Sequence, residues 1–597
     1  MARSWLSRWF VTVTARIDRR IGWHRLPRPL GIVTLIGLRN RLREENLYDT
    51  GTTAPRAANP ASGHDTAART VDGSYTDLDD PAMGSVGCRF GRNVPLSEGY
   101  PETETQLLDP SPRVVSRELL TRERFLPVPT LNLLAAAWIQ FEVHDWFSHG
   151  PNETTNPWRV PLGPGDPWPE DPMLIGRTRR DPTRSPADAG LPPTFTTDDS
   201  HWWDGSQIYG STPQSATLVR EGHGGRLQMQ GELSLLDLTE NIDLAGPRGN
   251  LWVGLAALHS LFTQEHNAIA AALEQEYPSF SDDQIFDKAR LINAALMAKI
   301  HTVEWTPAII AHPTTQLAMR INWWGLTGER ISKGFGRISS SEVLSGIPGS
   351  PKNHHGVPYS LTEEFAAVYR MHPLIPDDFT FWSCDRGGKL AELSLPEVGL
   401  LATHSRVEEL GLANVFYSFG LSHPGAITLH NFPRHLQHFV RPGTHSTADT
   451  IDLAAVDILR NRERGVPRYN RFRELLHMRP VATFDDLTDN PVWARQLNDV
   501  YDGDVDKVDA MIGMYAEPPP AGFGFSDTAF RVFVLMASRR LKSDRFFTDD
   551  YNAATYTELG MDWLVDNTLG TVLLRHYPEL FPAIDLHNAF RPWKPVR

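Results

Sequence analysis

The sequence predicts a mainly α-helical protein, and two observations support this class. Nine long segments have the apolar spacing of helices, whereas no strand-rich block with hairpin turns and no repeat of about 20–50 residues is present. The predicted helices cover residues 130–147, 250–275, 282–306, 360–372, 400–420, 450–464, 484–498, 504–515 and 526–542. Segments 47–128 and 150–200 are rich in residues that break helices, so we expect an irregular wrap in the first and an ordered surface loop in the second.

Composition excludes several classes of protein. The net charge of -14 disfavours nucleic acid as a partner, because no basic stripe of the required density lies outside the first fifty residues. Cys88 and Cys384 are the only cysteines, so neither a disulfide framework nor a thiolate-held metal is expected. The longest apolar run near the N-terminus, residues 31–38, is far shorter than the roughly 20 residues of a transmembrane helix.

Residues 1–46 form a basic segment in an otherwise acidic chain. They carry ten arginines against Asp18, Glu44 and Glu45, with large apolar residues between them at roughly helical spacing. Arginines also interrupt any signal-peptide core. Two interpretations remain open, namely helices that lie in a membrane interface and a basic helix docked on the rest of the protein. We therefore divide the chain into N-terminal helices, 1–46, and a main domain, 47–597, and expect an intracellular protein that is cytoplasmic or peripheral to a membrane.

Helix 130–147 is apolar on most sides, which predicts a buried helix. It nevertheless carries Gln140 and His144, which are four residues apart and therefore share a face. A buried imidazole and a buried amide cost free energy unless they are paired or employed. By themselves, these two residues are more typical of a satisfied core network than of an active site.

Oxygen-bearing groups alternate in the segment 200–206, Ser-His-Trp-Trp-Asp-Gly-Ser. The hydroxyls of Ser200 and Ser206, the carbonyl of Trp202 and the carboxylate of Asp204 recur at every second residue and can wrap a hard cation. Asp145, in helix 130–147, would add a second carboxylate. The combination predicts a calcium site, whereas the alternation without Asp145 would indicate only a turn.

The segment 369–372, Tyr-Arg-Met-His, places a phenol three residues before an imidazole. On a helix such a pair shares one face, so an electron can pass from Tyr369 to an iron porphyrin held near His372. An isolated tyrosine and histidine at this spacing are more often two residues of a helix core. The rest of the chain decides between these interpretations.

Together with Glu265-His266-Asn267, these motifs resemble the peroxidase–cyclooxygenase superfamily of haem proteins, and most closely its fatty-acid α-dioxygenases. The resemblance extends from segment 21–27, Ile-Gly-Trp-His-Arg-Leu-Pro, through 72–75 and 83–87 to 538–547, and so covers nearly the whole chain. It implies one largely helical catalytic domain with haem b buried between helices. It also implies a calcium ion behind the helix of residues 130–147, and N-terminal helices that touch a membrane.

The resemblance assigns roles around the haem. It makes His372 the proximal iron ligand and His144 the distal histidine, with Gln140 beside it. Two asparagines, Asn461 and Asn470, are candidates for orienting His372 through its second ring nitrogen. The sequence does not decide between them.

For the reaction, the resemblance makes Tyr369 the radical tyrosine. It implies that a hydroperoxide oxidises the haem, which then oxidises Tyr369. The tyrosyl radical takes a hydrogen atom from C2 of a long-chain fatty acid, and dioxygen adds to give a 2-hydroperoxy fatty acid. That product can lose CO2 to leave an aldehyde one carbon shorter.

The resemblance also implies a clamp for the fatty-acid carboxylate. His301 and Thr306, at the end of helix 282–306, would hold it together with an arginine from helix 526–542, which is Arg540 or Arg539. A guanidinium group suits a carboxylate because it can donate two parallel hydrogen bonds. Without the resemblance, both arginines would be interpreted as a solvated helix end.

Two other functions compete with the dioxygenase. The nearer one is a haem peroxidase of the same fold that oxidises small donors with hydrogen peroxide. Mammalian-type peroxidases have arginine before Glu-His-Asn, where this chain has Gln264, and the absence of that cation indicates weak peroxidase turnover. The more distant one is a binding protein that keeps the fold without haem.

Overall fold

About half of the described chain is helical, and the strands in it are short, which confirms the predicted class. The computed structural model describes residues 5–51, 66–237, 242–243, 252–440 and 450–596. The longest helices, named α1 to α10 in chain order, are Trp5–Ile21, Arg28–Glu45, Leu134–Trp146, Val253–Glu276, Asp282–Ile300, Pro313–Trp324, Leu412–Leu421, Leu453–Glu463, Pro491–Val500 and Asp527–Ser543.

Shorter helical segments join these elements. The α-helical ones are Glu104–Leu107, Pro112–Val115, Ser206–Tyr209, Pro213–Val219, Thr306–Ile309, Glu329–Phe335, Glu342–Ser345, Glu363–Val368, Thr403–Leu410, Arg434–Gln437, Tyr469–Leu475, Phe484–Leu487, Ala510–Ala516, Ala553–Tyr556, Glu558–Asp566 and Leu569–His576. The 3-10 turns include Trp23–Arg25, Leu96–Glu98, Pro186–Asp188, His372–Leu374, Leu395–Val398, Leu400–Ala402, Val505–Lys507, Arg545–Phe547 and Pro578–Leu580. Two π-helical turns lie at Ser116–Leu120 and His301–Trp305.

In the described residues, strands occur as two-stranded antiparallel ladders. The ten strands, β1 to β10, pair in chain order as Glu153–Val160 with Met173–Arg177, Met229–Gln230 with Leu233–Ser234, Leu236–Asp237 with Ile242–Asp243, Asp378–Trp382 with Lys389–Ser394, and Phe439–Val440 with Thr450–Ile451. The β1–β2 ladder forms within segment 150–200, where the sequence predicts a loop. The outer half of β1 is exposed, so this ladder remains a surface excursion.

Helix α3 lies in the core because it is apolar on nearly every side. It packs against α4 and α7, and α4 in turn packs along α5. Helix α10 contacts α2 and the short helix Glu363–Val368. Ring contacts join the ends of these elements, since Trp146 of α3 lies 5.3 Å from His301 and 5.2 Å from Tyr369 between ring centroids. The fold thus brings three distant parts of the chain to one region.

The N-terminal helices dock on the rest of the protein through α2. Trp23, which precedes α2, is fully buried and donates from its indole nitrogen to Asp527 at 2.9 Å. Arg39 and Arg43 of α2 are buried and form ion pairs of 2.9 and 2.7 Å with Glu342. Of the two interpretations of the N-terminal segment, docking on the rest of the protein applies to α2, because its apolar residues belong to the main hydrophobic core. The division of the chain at residue 46 stays a prediction.

The helix predicted over 360–372 ends early. The α-helix covers Glu363–Val368, and Tyr369 follows with φ −89° and ψ 9°. A continued helix would need the backbone N–H of residue 373 to donate to the Tyr369 carbonyl, and Pro373 has no N–H. His372 instead begins a 3-10 turn. The prediction that Tyr369 and His372 share one face of an α-helix is therefore wrong.

Other predicted helices are divided. Gly411, with φ +77°, separates Thr403–Leu410 from α7 within the segment 400–420. Segment 484–498 breaks before Pro491, where α9 begins, and segment 504–515 consists of a 3-10 turn followed by Ala510–Ala516. Across the described ranges, no helix combines the length and the apolar character that crossing a membrane requires.

Candidate active site

A cavity of about 340 Å³ lies where α3, α8 and the turn after Val368 meet. Four of the residues predicted for the haem site line it, namely Gln140, His144, Tyr369 and His372. Gln140 and His144 lie one turn apart on α3, so helix geometry alone directs both side chains to the same wall. Tyr369 and His372 reach the cavity from the non-helical turn.

The side-chain amide of Gln140 accepts a hydrogen bond from the buried indole of Trp252. The Trp252 indole nitrogen donates to Gln140 Oε1 at 2.6 Å, and the indole is fully buried against Phe379 and Phe419. A second buried histidine, His259, lies near His144, and burial together with the charge of His144 holds the pKa of His259 well below its usual value. The sequence did not single out Trp252, although a tryptophan before a buried helix is a signal for an anchored side chain.

Tyr369 is buried among aromatic rings. Its ring lies 4.5 Å from that of Phe365, 5.2 Å from Trp146 and 6.2 Å from Phe533, measured between centroids. Burial raises the pKa of the phenol far above its usual value. Tyr369 therefore stays protonated at physiological pH, and oxidation must remove a proton together with the electron.

His372 meets a carboxylate, not an amide. Its Nδ1 lies 2.8 Å from Oδ2 of Asp457, which also lines the cavity. Asn470 instead bonds Val481 and Asp506, and Asn461 does not line the cavity. Neither asparagine is placed as the sequence suggested. Asp457 lies one turn before Asn461 on α8. The sequence predicted an amide partner for His372, and the observed partner is this carboxylate.

Of the predicted clamp residues, His301 and Arg540 both contact Trp146, whose ring meets that of Tyr369, and none of the set lines the cavity. His301 begins the π-helical turn His301–Trp305, and Thr306 follows it directly. Backbone bonds in a π-turn join residues five apart, so this turn brings His301 and Thr306 onto one face. In a regular α-helix of 3.6 residues per turn, they would point in different directions.

The imidazole of His301 lies in a shell of indoles. Its Nδ1 accepts a hydrogen bond of 3.2 Å from the indole nitrogen of Trp138, so the neutral ring carries its proton on Nε2. Its ring stacks on Trp305 at 4.6 Å and meets Trp146 and Trp203 edge-on. Burial, with a further contribution from Arg540, lowers the pKa of His301 well below its usual value. The imidazole is a neutral donor.

Arg540 and Arg539 differ sharply in their contacts. The Arg540 guanidinium lies 3.9 Å from the Trp146 ring and 4.3 Å from the Trp203 ring, and its Nε and Nη2 atoms are buried without a hydrogen-bond partner. Arg539 donates from its guanidinium to the backbone carbonyls of Val357 and other residues of segment 354–360. Arg540 thus has two guanidinium nitrogens without a partner, whereas Arg539 has only Nε, because its terminal nitrogens bind the backbone.

Asp145 and Asp204 form a pair of fully buried carboxylates. The Ser206 backbone N–H donates to Asp145 Oδ1 at 2.6 Å and to Asp204 Oδ1 at 3.2 Å, while the Oδ2 atoms of both aspartates have no hydrogen-bond partner. Gly205, with φ +79°, makes the turn that brings them together. Burial and the charge of Asp204 raise the pKa of Asp145 well above its usual value.

The remaining oxygens of the predicted calcium set lie beside these carboxylates. The Ser206 hydroxyl donates to Asp145 Oδ1 at 3.0 Å, and the Ser200 hydroxyl accepts from the Trp202 N–H at 3.0 Å. Arg290 approaches Asp204 Oδ2 only to 3.5 Å. No group of three or more His, Cys, Asp or Glu side chains suited to a metal occurs in the part of the chain that the structure covers. Any cation here would rely on two carboxylates and neutral oxygens.

Gln264 does not lie in the cavity wall. Its side-chain nitrogen donates to the carbonyl of Glu232 at 2.9 Å and to the hydroxyl of Tyr577 at 2.7 Å. The neighbouring Glu265 binds Arg575 at 2.5 Å and also contacts the C-terminal helices. The contacts of Gln264 and Glu265 are therefore structural, and the presence of glutamine at position 264 does not indicate weak peroxidase turnover.

Comparison with known proteins defines the class first. A family model described as animal haem peroxidase matches residues 68–588, which is most of the chain. The chain therefore belongs to the animal haem peroxidase family. Peroxidase A from Dictyostelium discoideum, at 20% identity and a TM-score of 0.69, shares the fold.

Closer relatives narrow the family to the α-dioxygenases. Alpha-dioxygenase PIOX from Oryza sativa subsp. japonica is 36% identical over 592 residues, which cover 96% of this chain and 94% of the relative. Alpha-dioxygenase 1 from Arabidopsis thaliana is 35% identical over 607 residues, covering 99% and 93%. The crystal structure of Oryza sativa fatty acid alpha-dioxygenase covers 100% of this chain and 98% of its own at 34% identity, with a TM-score of 0.91. The chain is thus an oxidoreductase of the α-dioxygenase branch, as the resemblance implied.

Proposed function

We propose that this chain is a haem-dependent fatty-acid α-dioxygenase that uses Tyr369 as its radical. The observation that carries the proposal is the position of Tyr369 between two sets of residues. On one side it lines a cavity with His144 and His372, and on the other it contacts Trp146, which borders Arg540. A rice relative whose structure contains palmitic acid, in a tyrosine-to-phenylalanine variant, supports this substrate class.

The cavity suits haem b. His372 can ligate the iron through Nε2 because its Nδ1 faces Asp457, while Gln140 and His144 form a polar distal wall. Three arginines line the same cavity, namely Arg370, Arg460 and Arg464, and can donate to the two propionates. Arg370 and Arg460 are also ion-paired with Asp457 and Glu463, respectively. When bound and oxidised by a hydroperoxide, the haem supplies a one-electron oxidant for the neighbouring phenol.

The clamp suits a carboxylate. Arg540 offers buried N–H donors that no described group accepts, and leaving them unpaired costs free energy. His301 adds the N–H of its Nε2, and Thr306 adds a hydroxyl from the same face of the π-turn. A fatty acid that enters with its head group on these donors has C2 beside the clamp, and hence near Tyr369.

The reaction then uses the protein's own phenol. Tyr369 gives up one hydrogen atom, and its radical abstracts one hydrogen atom from C2 of the fatty acid. Dioxygen adds to the C2 radical, and Tyr369 returns a hydrogen atom, so one fatty acid and one O2 give one 2-hydroperoxy acid. Loss of CO2 and water from that acid leaves an aldehyde one carbon shorter. Fixing the carboxylate fixes the reacting hydrogen, and such positioning lowers a barrier by several kcal/mol.

The first prediction concerns Tyr369. Tyr369→Phe should reduce oxygen uptake with palmitate to background and leave the haem absorption spectrum unchanged, because phenylalanine keeps the packing and lacks the transferable hydrogen atom. Oxidation of guaiacol by peroxide should persist. Tyr577→Phe, which alters another buried hydroxyl far from the cavity, serves as the matched control. Product formation by Tyr369→Phe would refute the radical assignment.

The second prediction separates the neighbouring arginines. Arg540→Met should raise KM for palmitate roughly 10- to 100-fold, the range for losing a hydrogen bond to a charged group. Arg539→Met should lower the melting temperature, because it removes bonds to backbone carbonyls, and leave KM within about twofold. The reverse pattern would move the clamp to Arg539.

We propose that calcium binds between Asp145 and Asp204, with Ser200, Trp202 and Ser206 supplying neutral oxygens. Two facing carboxylates with free oxygens repel each other unless a cation lies between them.

Calcium should therefore raise the melting temperature of the wild type and not that of Asp204→Asn, because a ligand that binds only the folded state stabilises it. Asp198→Asn, a half-exposed aspartate paired with Arg179, should keep the calcium response. A wild type whose melting temperature ignores both calcium and chelator contradicts the proposal.

We propose peripheral contact with an anionic membrane through the N-terminal helices. Trp9 of α1 and Leu30 of α2 are 58% and 56% exposed, and Arg16, Arg19 and Arg20 are exposed beside them in sequence. Apolar anchors together with arginines match the interface of an anionic bilayer.

The double variant Trp9→Ala/Leu30→Ala should sediment less with vesicles that contain anionic lipid, and added salt should weaken wild-type binding. Phe581→Ala, which removes a 64% exposed side chain elsewhere, is the control. Equal sedimentation of all three proteins would exclude this contact.

A further inference from the structure

Asp457 is the described carboxylate that contacts the imidazole of His372. It lies on α8 with its side chain 1% exposed, and its two oxygens are divided between two partners. Oδ1 forms an ion pair with Arg370, and Oδ2 lies 2.8 Å from Nδ1 of His372. Asp457 therefore does more than neutralise Arg370, because that ion pair leaves one oxygen for the imidazole.

The contact between Asp457 and His372 is poised for a hydrogen bond. Neither His372 Nδ1 nor Asp457 Oδ2 has an aligned hydrogen-bond partner, although they lie within ion-pair distance of each other. Buried polar atoms are seldom left without partners. At 2.8 Å, a hydrogen bond from Nδ1–H of His372 to Oδ2 of Asp457 would satisfy both atoms. The hydroxyl of Tyr515 donates to the carbonyl of Arg370 and so fixes the backbone of this turn.

An imidazole that ligates iron through Nε2 carries its remaining proton on Nδ1, and the acceptor of that proton tunes the ligand. A carboxylate acceptor draws the proton more strongly than an amide carbonyl, which makes the imidazole a better electron donor. A better donor stabilises ferric iron over ferrous iron. Arg370 opposes this effect, because it withdraws charge from the same carboxylate.

We propose that Asp457 is the positioning residue for the proximal histidine, and that it sets the basicity of His372 and so lowers the reduction potential of the haem iron. The proposal rests on the proposed ligation of iron by His372. It assigns to a single aspartate of α8 the function that the sequence suggested for Asn461 or Asn470. Asp457 acts through His372 and has no direct part in oxygenation.

The test uses the ferrous holoprotein, with two measurements. The frequency of the iron–imidazole stretch in the resonance Raman spectrum reports the basicity of the ligand, and a redox titration reports the ferric/ferrous potential. Asp457→Asn should lower the stretching frequency and raise the potential. Arg370→Met, which frees the carboxylate from its competing cation, should shift both quantities in the opposite directions. Asp457→Glu should recover part of the wild-type frequency.

Each outcome bears on one assignment. If the wild type has no iron–imidazole band, the ligation by His372 fails, and the proposed function loses its iron ligand. If the band is present and Asp457→Asn shifts the potential without shifting the band, Asp457 acts only as a nearby charge and the inference is overturned. Asp509→Asn, which breaks another buried ion pair with a residue of α8, should move neither quantity. Should Asp457→Asn fail to take up haem, the sign of the Arg370→Met shift decides.

Discussion

The burial of the Tyr369 phenol is the constraint on which the rest of the site depends. In a dry environment the phenol keeps its proton, so its oxidation must remove a proton together with the electron. Under the proposed function, such a group needs an oxidant on one side and a substrate on the other. The chain meets this requirement by ending an α-helix at Val368, so that Tyr369 and His372 line one cavity from a turn. The edge-on contact with Trp146 then joins the phenol to the region of Arg540.

Some buried polar atoms without hydrogen-bond partners lie where the proposed ligands would bind. Few such atoms occur in folded proteins, because each one costs free energy. Here they include the second oxygens of Asp145 and Asp204, the donors of Arg540, and the facing atoms of His372 and Asp457. Calcium, a carboxylate and an iron-bound imidazole, respectively, would relieve them. Under the proposed assignments, these ligands would lower the free energy of groups that the protein leaves unpaired.

An irregular helical turn lies on the proposed substrate side of the site. The π-helical turn His301–Trp305 interrupts an otherwise regular path from α5 into Thr306–Ile309, and π-turns are uncommon outside functional sites. A shell of indoles holds His301 within it, with Trp138 donating to its ring. Tight aromatic packing around His301 fixes the irregular turn, because the surrounding structure over-determines it.

Helices and the residue types of the site could be predicted because both are local properties. Apolar periodicity placed α3, α4, α5 and α10 within a few residues of their observed bounds, and four-residue spacing placed Gln140 and His144 on one face. Choices that depend on contacts between distant segments could not be predicted. Neighbouring residues on α10 point in different directions, so only the tertiary packing decides that Arg540 lies over the Trp146 ring while Arg539 binds backbone carbonyls.

The contact between His372 and Asp457 could not be predicted for the same reason. Nothing near residue 372 in the sequence indicates that Asp457 of α8 would contact it. For Gln264 the sequence predicted a pocket residue from a motif in α4, but the side chain binds Tyr577 outside the cavity. The apolar periodicity of a helix follows from hydrogen bonds between residues close in sequence, so it can be recognised in a short segment. Which side chains meet across the core is set by how whole helices pack, and that is a property of the folded chain.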